Sequence, residues 1–312
     1  MAELKNEFSW SKSRAETFSA CPRQYFYRYY GSWGGWDRKA NPKTRTTYIL
    51  KQLQTRQQWV GATVHNGLRW ALATLRDTGA APAEETTLNA LGKRLALDFQ
   101  NSGEGLYWDE PKKMCGLIEH EYDELEVSDE AWSALFEGAL ASINAFYHSE
   151  IFEKLRTLPA DQWVEVEKLG SFDVDGVKVW VQLDCAFWAE SNLHIIDWKT
   201  GRTDVDSTKM QLALYTWYAS KQWNVAPENI VSGEFNLGTN ELFTHPFTAN
   251  DFQSVHERIA KSVAAMRELL DDAVANAATE ENFPLAETNT PCATCAFRRI
   301  CPRWATPIEA ME

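Results

Sequence analysis

An acid and a lysine stand two residues apart in Ile195-Ile196-Asp197-Trp198-Lys199-Thr200-Gly201, at the end of an apolar run. If that run is a β-strand, its period of two places both side chains on one face. A hairpin that returns this strand along the preceding one brings Asp184 to the same rim, and two carboxylates at one rim suit a hard divalent cation. Such a cation neutralises a phosphate and lowers the pKa of bound water, while a neighbouring lysine positions or deprotonates that water; together these are the needs of phosphodiester hydrolysis. An isolated D-x-K is also what an ordinary strand end beside a turn looks like, so the motif acquires weight only from its companions.

A second group of residues is chemically pointed. Pro291-Cys292-Ala293-Thr294-Cys295 followed by Cys301-Pro302 forms C-x2-C-x5-C-P, three thiols within ten residues. The spacing is that of metal ligands in a reducing compartment more than of a disulfide framework, and it fits zinc or an iron-sulfur cluster. Cys115 and Cys185 lie outside the pattern and read as packing residues.

The elements that must position these residues change character along the chain. Helical periodicity covers 9–30, 55–76 and 84–155, the last broken near Asn101 to Gly105 and at Pro111. From Trp163 the pattern turns to alternation, through Val164 and Val166, then Val177, Val179, Val181 and Leu183, then Leu193 and Ile195. That predicts an antiparallel meander with turns at Asp175-Gly176 and Glu190-Ser191-Asn192, the second folding a strand that ends near Asp184 against one that ends at Lys199. A helix is expected over Ser207 to Lys221, two further strands over Ile230 to Phe235 and Glu241 to Phe247, and a long helix over Asn250 to Ala277. The fold class is α/β, and 312 residues with 44% hydrophobic content can bury a substantial core. Residues 1–312 are expected to form a single domain, with a catalytic sheet core at 161–250 and a helical insertion at 84–160.

Charge is unevenly spread. Residues 1–60 hold eleven Lys or Arg against four Asp or Glu, which leaves 20 basic and 40 acidic residues in the remainder of a chain of net charge -13. The basic segment is interleaved with Tyr25, Phe26, Tyr27, Tyr29, Tyr30, Trp33 and Trp36, a mixture that can hold phosphates while stacking bases, or that can be a solvated basic face over an aromatic core. There is no apolar run of eighteen residues, and Met1 to Trp10 carries charges where a secretory peptide would be apolar, so a cytoplasmic protein is expected. No P-loop is present, hence no motor of the chain's own.

Taken in order, these motifs resemble those of the RecB-type PD-(D/E)XK nucleases. Gly61-Ala62-Thr63-Val64-His65 matches that family's G-x-x-x-H helix, Asp184 and Asp197-Trp198-Lys199-Thr200-Gly201 match its metal acids and lysine, and Gln211 with Tyr215 matches its Q-x-x-x-Y helix. Cys21-Pro22-Arg23-Gln24-Tyr25 is similar to the N-terminal cysteine motif of the iron-sulfur branch, which includes CRISPR-associated exonucleases and AddB-type nuclease domains. The resemblance implies a restriction-endonuclease-like core, a mixed central sheet flanked by helices, carrying a helical insertion. His65, Asp184 and Asp197 would bind Mg2+ or Mn2+, and Asp184, Asp197, Lys199, Gln211 and Tyr215 would make up the catalytic set. Cys21, Cys292, Cys295 and Cys301 would hold a 4Fe-4S cluster in a cap of residues 1–60 and 285–312 that joins the two ends of the chain. Such a cluster would close a loop of about 270 residues, an entropic gain on the order of 5 kcal/mol by analogy with a disulfide. Arg298, Arg299 and Arg303 would then add to a positive wall beside the active site. The implied activity is an exonuclease on single-stranded DNA ends, in repair, recombination, phage or CRISPR-associated processing. The alternative is a non-catalytic or partner-dependent subunit of a helicase-nuclease or integration complex. One departure is Val181, where relatives often have glycine, and either Glu165 or Glu167 could supply the acid that the family carries on the strand before the hairpin.

Overall fold

The computed structural model describes residues 4–201 and 204–304. In chain order it contains a two-residue strand β1 (Ser9–Trp10) and helices α1 (Lys12–Ala20), α2 (Pro22–Phe26), α3 (Pro42–Leu50), α4 (Arg56–Thr78), α5 (Glu84–Gly103), α6 (Ile118–Glu121), α7 (Asp129–Tyr147) and α8 (Glu150–Arg156). Strands β2 (Trp163–Val174), β3 (Val177–Ala189) and β4 (Asn192–Lys199) come next, then α9 (Val205–Trp223), β5 (Ile230–Asn236), β6 (Glu241–His245) and α10 (Ala249–Glu268). The chain divides into two compact units: Met1–Arg56, Asp98–Glu126 and Lys261–Glu312 form one, Gln57–Leu97 and Val127–Ala260 the other. None of the described helices is long and apolar enough to cross a membrane.

The second unit, called here the sheet unit, is α/β. Its strands lie in the order β2-β3-β4-β5-β6, antiparallel except for the parallel pair β4 and β5. The parallel pair exists because α9 carries the chain from the end of β4 back to the start of β5, the crossover that parallel neighbours require. Both hairpin turns are two residues long with positive φ at each: Asp175 and Gly176 at 53° and 75°, Glu190 and Ser191 at 52° and 67°. These are the primed turns whose twist matches that of the strands. The second is one residue tighter than the sequence suggests, so Asn192 already belongs to β4, and β3 runs past Asp184 to Ala189 instead of ending near it. Asp184 therefore sits inside its strand.

Helix α4 shows why this unit is stable. Its buried residues Trp59, Val60, Val64, Leu68, Ala71, Leu72 and Leu75 recur every three or four positions and make a single apolar stripe. Trp59 meets Trp132 and Phe136 of α7, with ring centroids at 6.5 and 5.7 Å. On β4, Trp198 alternates with Asp197 and Lys199, and its ring is enclosed by Phe146 and Phe235 at 5.4 and 5.9 Å. Burying a ring of this size contributes roughly 2–3 kcal/mol. It also fixes which face of the strand looks away from the core.

The first unit, the cysteine unit, is built from short pieces. The expected helix over 9–30 is interrupted at Cys21, whose φ and ψ of -161° and 108° are extended. Pro22 forces this, since the residue before a proline is pushed out of the helical region, while proline itself suits the first turn of α2. The expected long helix to Ala277 ends instead at Glu268. Beyond it Asp272 Oδ1 accepts the N–H groups of Val274 and Ala275, closing a side-chain turn that competes with helix. Phe283 is fully buried and gathers Tyr25, Phe26 and Tyr30 at 5.3 to 6.3 Å. Glu280 collects Arg23, Tyr27 and Lys43. The aromatics that could have been a stacking surface are thus largely core: Tyr25, Phe26 and Tyr27 are buried, and only Trp33 and Trp36 are well exposed, at 39% and 44%.

Candidate active site

Strand register builds the site. The β3–β4 ladder runs from Ala189–Asn192 to Cys185–Ile196, and one step further Asp184 stands across from Asp197. In the neighbouring hairpin Val166 pairs with Cys185 and Lys168 with Leu183, so Glu167 stands opposite Asp184. Three carboxylates therefore line up across three strands. Glu167 has a φ of 48°, a left-handed conformation that a residue with a side chain adopts only where its surroundings impose it.

His65 reaches this row from α4. Its Nδ1 lies 3.1 Å from Glu167 Oε1 and 3.5 Å from Asp184 Oδ2, while its Nε2 lies 3.2 Å from the carbonyl oxygen of Trp198. The N–H of Trp198 donates to Asp184 Oδ2 at 2.8 Å. Both polar groups of one peptide residue are available because the β3–β4 ladder ends at Ile196, leaving the edge of β4 open to side chains. Gln182 Nε2 donates to Glu167 Oε2 at 2.7 Å. His65, Glu167 and Asp184 each offer an atom within 4.8 Å of the others. The Cβ of an alanine at Gly61 would lie 3.5 Å from Thr200 Oγ1, an ordinary contact, so the glycine is not demanded by space.

The second half of the site comes from α9, whose N-terminus is capped by Asp204 through the N–H groups of Asp206 and Ser207. Gln211 and Tyr215, four apart, share one helical face. Lys199 Nζ is 2.5 Å from Asp197 Oδ2 and donates to Gln211 Oε1 at 3.2 Å. Gln211 Nε2 in turn reaches Asp197 Oδ1 at 3.3 Å and Tyr215 OH at 2.6 Å. The lysine is held by an acid and an amide, and the amide by a buried phenol.

Electrostatics shows what kind of group the site suits. Burial, and then the charge of Asp197, holds the Asp184 carboxyl well above its ordinary range despite the opposing pull of His65. For His65 burial alone would lower the pKa; the hydrogen bond to Glu167 and the charges of Asp184, Glu167 and Asp197 outweigh it and push the value up to about 9. Crowded acids, one of them with its pKa raised, beside a histidine that keeps its proton, form a donor set made for a cation. The residues present fit a divalent metal ion: oxygen ligands dominate, and the Trp198 carbonyl fixes the His65 tautomer that offers Nδ1.

All the residues read from the sequence in the sheet unit, His65, Asp184, Asp197, Lys199, Gln211 and Tyr215, come together. The sequence left Glu165 and Glu167 undivided. Glu167 joins the row, whereas Glu165 is buried with its Oε1 3.5 Å from Lys168 Nζ, and burial raises its pKa. Counting outward from the Asp175-Gly176 turn would have paired 167 with 184.

In the cysteine unit Cys21, Cys292, Cys295 and Cys301 line one small cavity of about 20 Å³, together with Arg23, Tyr27 and Arg303. Burial, and then the charges of the other three cysteines, push the Cys295 thiol up to about 12 although the Phe297 N–H lowers it. Four thiols on one cavity, with the pKa of Cys295 and of Cys301 raised first by burial, fit a thiophilic metal group, which would take their protons. Arg298 is buried and ties the loop by donating to the carbonyls of Cys292 and Ala293 and to Glu124. Arg299 pairs with Glu121 at 2.5 Å, and Arg303 donates to the carbonyls of Ala286 and Thr288. These three arginines are structural ties here. Cys115 and Cys185 are buried and stand apart from the cavity.

Comparison with known proteins bears on the whole chain. No curated protein sequence matches it. A solved structure titled "Crystal structure of SSO0001" is similar at 20% identity over 61% of this chain and 80% of that chain, with a TM-score of 0.29. The profile of the PD-(D/E)XK nuclease superfamily matches residues 9–302, nearly the full length. With its mixed sheet flanked by helices and its acid, lysine and histidine at one rim, the chain belongs to the PD-(D/E)XK nuclease superfamily.

Proposed function

We propose that the protein is a metal-dependent deoxyribonuclease that works as an exonuclease on single-stranded DNA ends, with His65, Glu167, Asp184 and Asp197 around the metal and Lys199 as the catalytic lysine. The superfamily supports a nuclease that uses a divalent ion such as Mg2+ or Mn2+ and acts on DNA. The observation that carries the reading of the residues is the meeting of Asp197, Lys199, Gln211 and Tyr215 in one hydrogen-bonded chain beside the His65, Glu167 and Asp184 cluster.

A divalent ion, when bound, supplies a positive charge for a phosphate oxygen and acidifies water. The chain's own residues do the rest. Asp184 and Asp197 face each other across the hairpin and offer oxygens; His65 gives up the proton on Nδ1 while Nε2–H stays on the Trp198 carbonyl. Lys199, held between Asp197 and Gln211, is placed to orient an attacking water or take its proton. Tyr215 is buried and its pKa is raised, first by burial and then by Asp197 and Asp184, so it stays a neutral hydroxyl that positions Gln211.

Within this reading Cys21, Cys292, Cys295 and Cys301 carry a 4Fe-4S cluster. Support comes from the four thiols on one cavity and from the resemblance of their motifs. The test is anaerobic purification with iron, acid-labile sulfide and zinc analysis, followed by incubation with Mn2+ and end-labelled linear or covalently closed single-stranded DNA. Loss of label from linear strands alone is the expected result. Equal cutting of closed circles would remove the exonuclease assignment, and zinc without sulfide would remove the cluster.

A further inference from the structure

The cysteine unit contains a group of cations that no carboxylate among its described residues neutralises. Arg14 and Lys51 lie over the ring of Tyr29, at 4.3 and 5.8 Å from its centroid. Arg28 and Lys112 are near enough to repel Lys51. Among the described residues, none of the four makes an ion pair with a carboxylate, although Lys12, Arg23, Arg38 and Lys43 of the same unit all do. Burial and then these three like charges lower the Lys51 pKa to about 8, the mark of a cation lacking its counter-anion.

Lys112 also belongs to a groove of about 490 Å³ lined by Trp33, Trp36, Arg38, Tyr48 and Lys113, a volume within the roughly 300–1,000 Å³ of ligand sites. The two tryptophans stand edge to face at 5.1 Å, with Trp36 against Tyr48 at 6.4 Å. A rigid turn presents them. Gly34 has a φ of 82°, and a Cβ on Gly35 would come within 2.4 Å of Tyr48 Cβ and 2.6 Å of the Thr44 carbonyl, so the turn is pressed onto α3. Arg45 donates to the Gly35 carbonyl at 3.0 Å and fixes it further. Two acids also line the groove; Glu110 is engaged by Arg38 and Lys113 at 3.0 and 3.4 Å, which leaves Asp109 against an excess of positive charge.

We propose that this surface is a second nucleic-acid subsite, in which an unpaired base of a single strand stacks on Trp33 and Trp36 while adjoining phosphates lie against Arg14, Arg28, Lys51 and Lys112. An apolar protein partner would use the tryptophans but leave the cations unpaired, and a free anion would use the cations but not the rings; a single strand uses both. The proposal rests on the DNA-nuclease reading for its substrate class and makes no use of the metal site.

The test uses the full chain in EDTA, so that binding is separated from cleavage. Fluorescein-labelled dT20 and an abasic strand of equal length are titrated by anisotropy against wild type, the W33A/W36A double variant and K112E. W33A/W36A is expected to bind dT20 roughly tenfold more weakly, the scale of one stacked base, with the abasic strand unchanged. K112E should weaken both strands and reduce the salt slope by about one. Both variants should keep the wild-type melting temperature and Mn2+-dependent cleavage of saturating linear DNA. Wild-type affinity of W33A/W36A for dT20, or an equal loss on the abasic strand, overturns the subsite while leaving the nuclease reading intact. A wild-type protein that neither binds nor cuts any strand overturns both.

Discussion

The two units hold their reactive side chains by different means. In the sheet unit the carboxylates are set by ladder register, so Glu167, Asp184 and Asp197 follow from which residue faces which across neighbouring strands. Among the described residues of the cysteine unit no ladder sets the thiols; Cys21 sits at a break between two short helices, Cys292 lies in a short 3-10 turn, and Cys295 and Cys301 are the extended residues that end two such turns, with ties from Arg298 and Arg303. Regular hydrogen bonding makes the first arrangement rigid before any ligand arrives, whereas the second depends on an aromatic plug, on arginine ties and on whatever the sulfurs bind. Damage in the first unit should therefore appear mainly in chemistry, and damage in the second mainly in stability.

Asp197→Asn attacks the contrast at its sharpest point. Cleavage of end-labelled DNA with Mn2+ should fall about a thousandfold, with the melting temperature unchanged or slightly raised because a crowded charge is removed; near-wild-type turnover would refute the site. Phe283→Ala removes the plug and should cost about 3–5 kcal/mol by urea titration, without changing the rate per folded molecule. Cys295→Ser should cost roughly 2–5 kcal/mol and abolish bound iron, with circular dichroism still showing the sheet; an unaltered melting curve would mean that the thiols bear no structural burden. Gln211→Ala should reduce kcat about tenfold and leave the Mn2+ requirement in place, since Gln211 touches the lysine but offers no ligand to the row.

The smallest effect concerns protons. In metal-free protein His65 has a pKa raised from 6.5 to about 9, so its charged form stabilises the fold. That contribution is complete below pH 6.5 and disappears as pH rises through about 9. Melting in EDTA should show a decline of a few degrees across that window, absent in His65→Gln. Mn2+ should reverse the trend and protect more strongly at higher pH, because less proton must be displaced.

Much of the sheet unit was legible in the sequence because its signals are local. Alternation gave the strands, Asp175-Gly176 and Glu190-Ser191-Asn192 gave the turns to within a residue, and a spacing of four put Gln211 beside Tyr215. What escaped was a consequence of register and strand length: only counting outward from a turn separates Glu167 from Glu165, and β3 runs on past Asp184 to Ala189, so that Asp184 lies in the strand interior. In the cysteine unit the motif was visible but its surroundings were not. For Tyr25 and Tyr27 the sequence left a stacking surface and an aromatic core equally open, since burial by Phe283 and Phe297, more than 250 residues away, leaves no periodic trace. Arg298 read as part of a positive wall because two of its partners are backbone carbonyls, which composition cannot reveal, and the third is Glu124, 174 residues away.

The peptide of Trp198 carries an implication for how such a site can change. Its N–H steadies Asp184 and its carbonyl steadies His65, while the residues on either side supply Asp197 and Lys199. A single insertion or deletion in β4 would displace all four groups at once and turn the Trp198 ring out of its pocket. Drift in this segment is therefore confined to substitution, with length frozen, while loops elsewhere are free to grow or shrink.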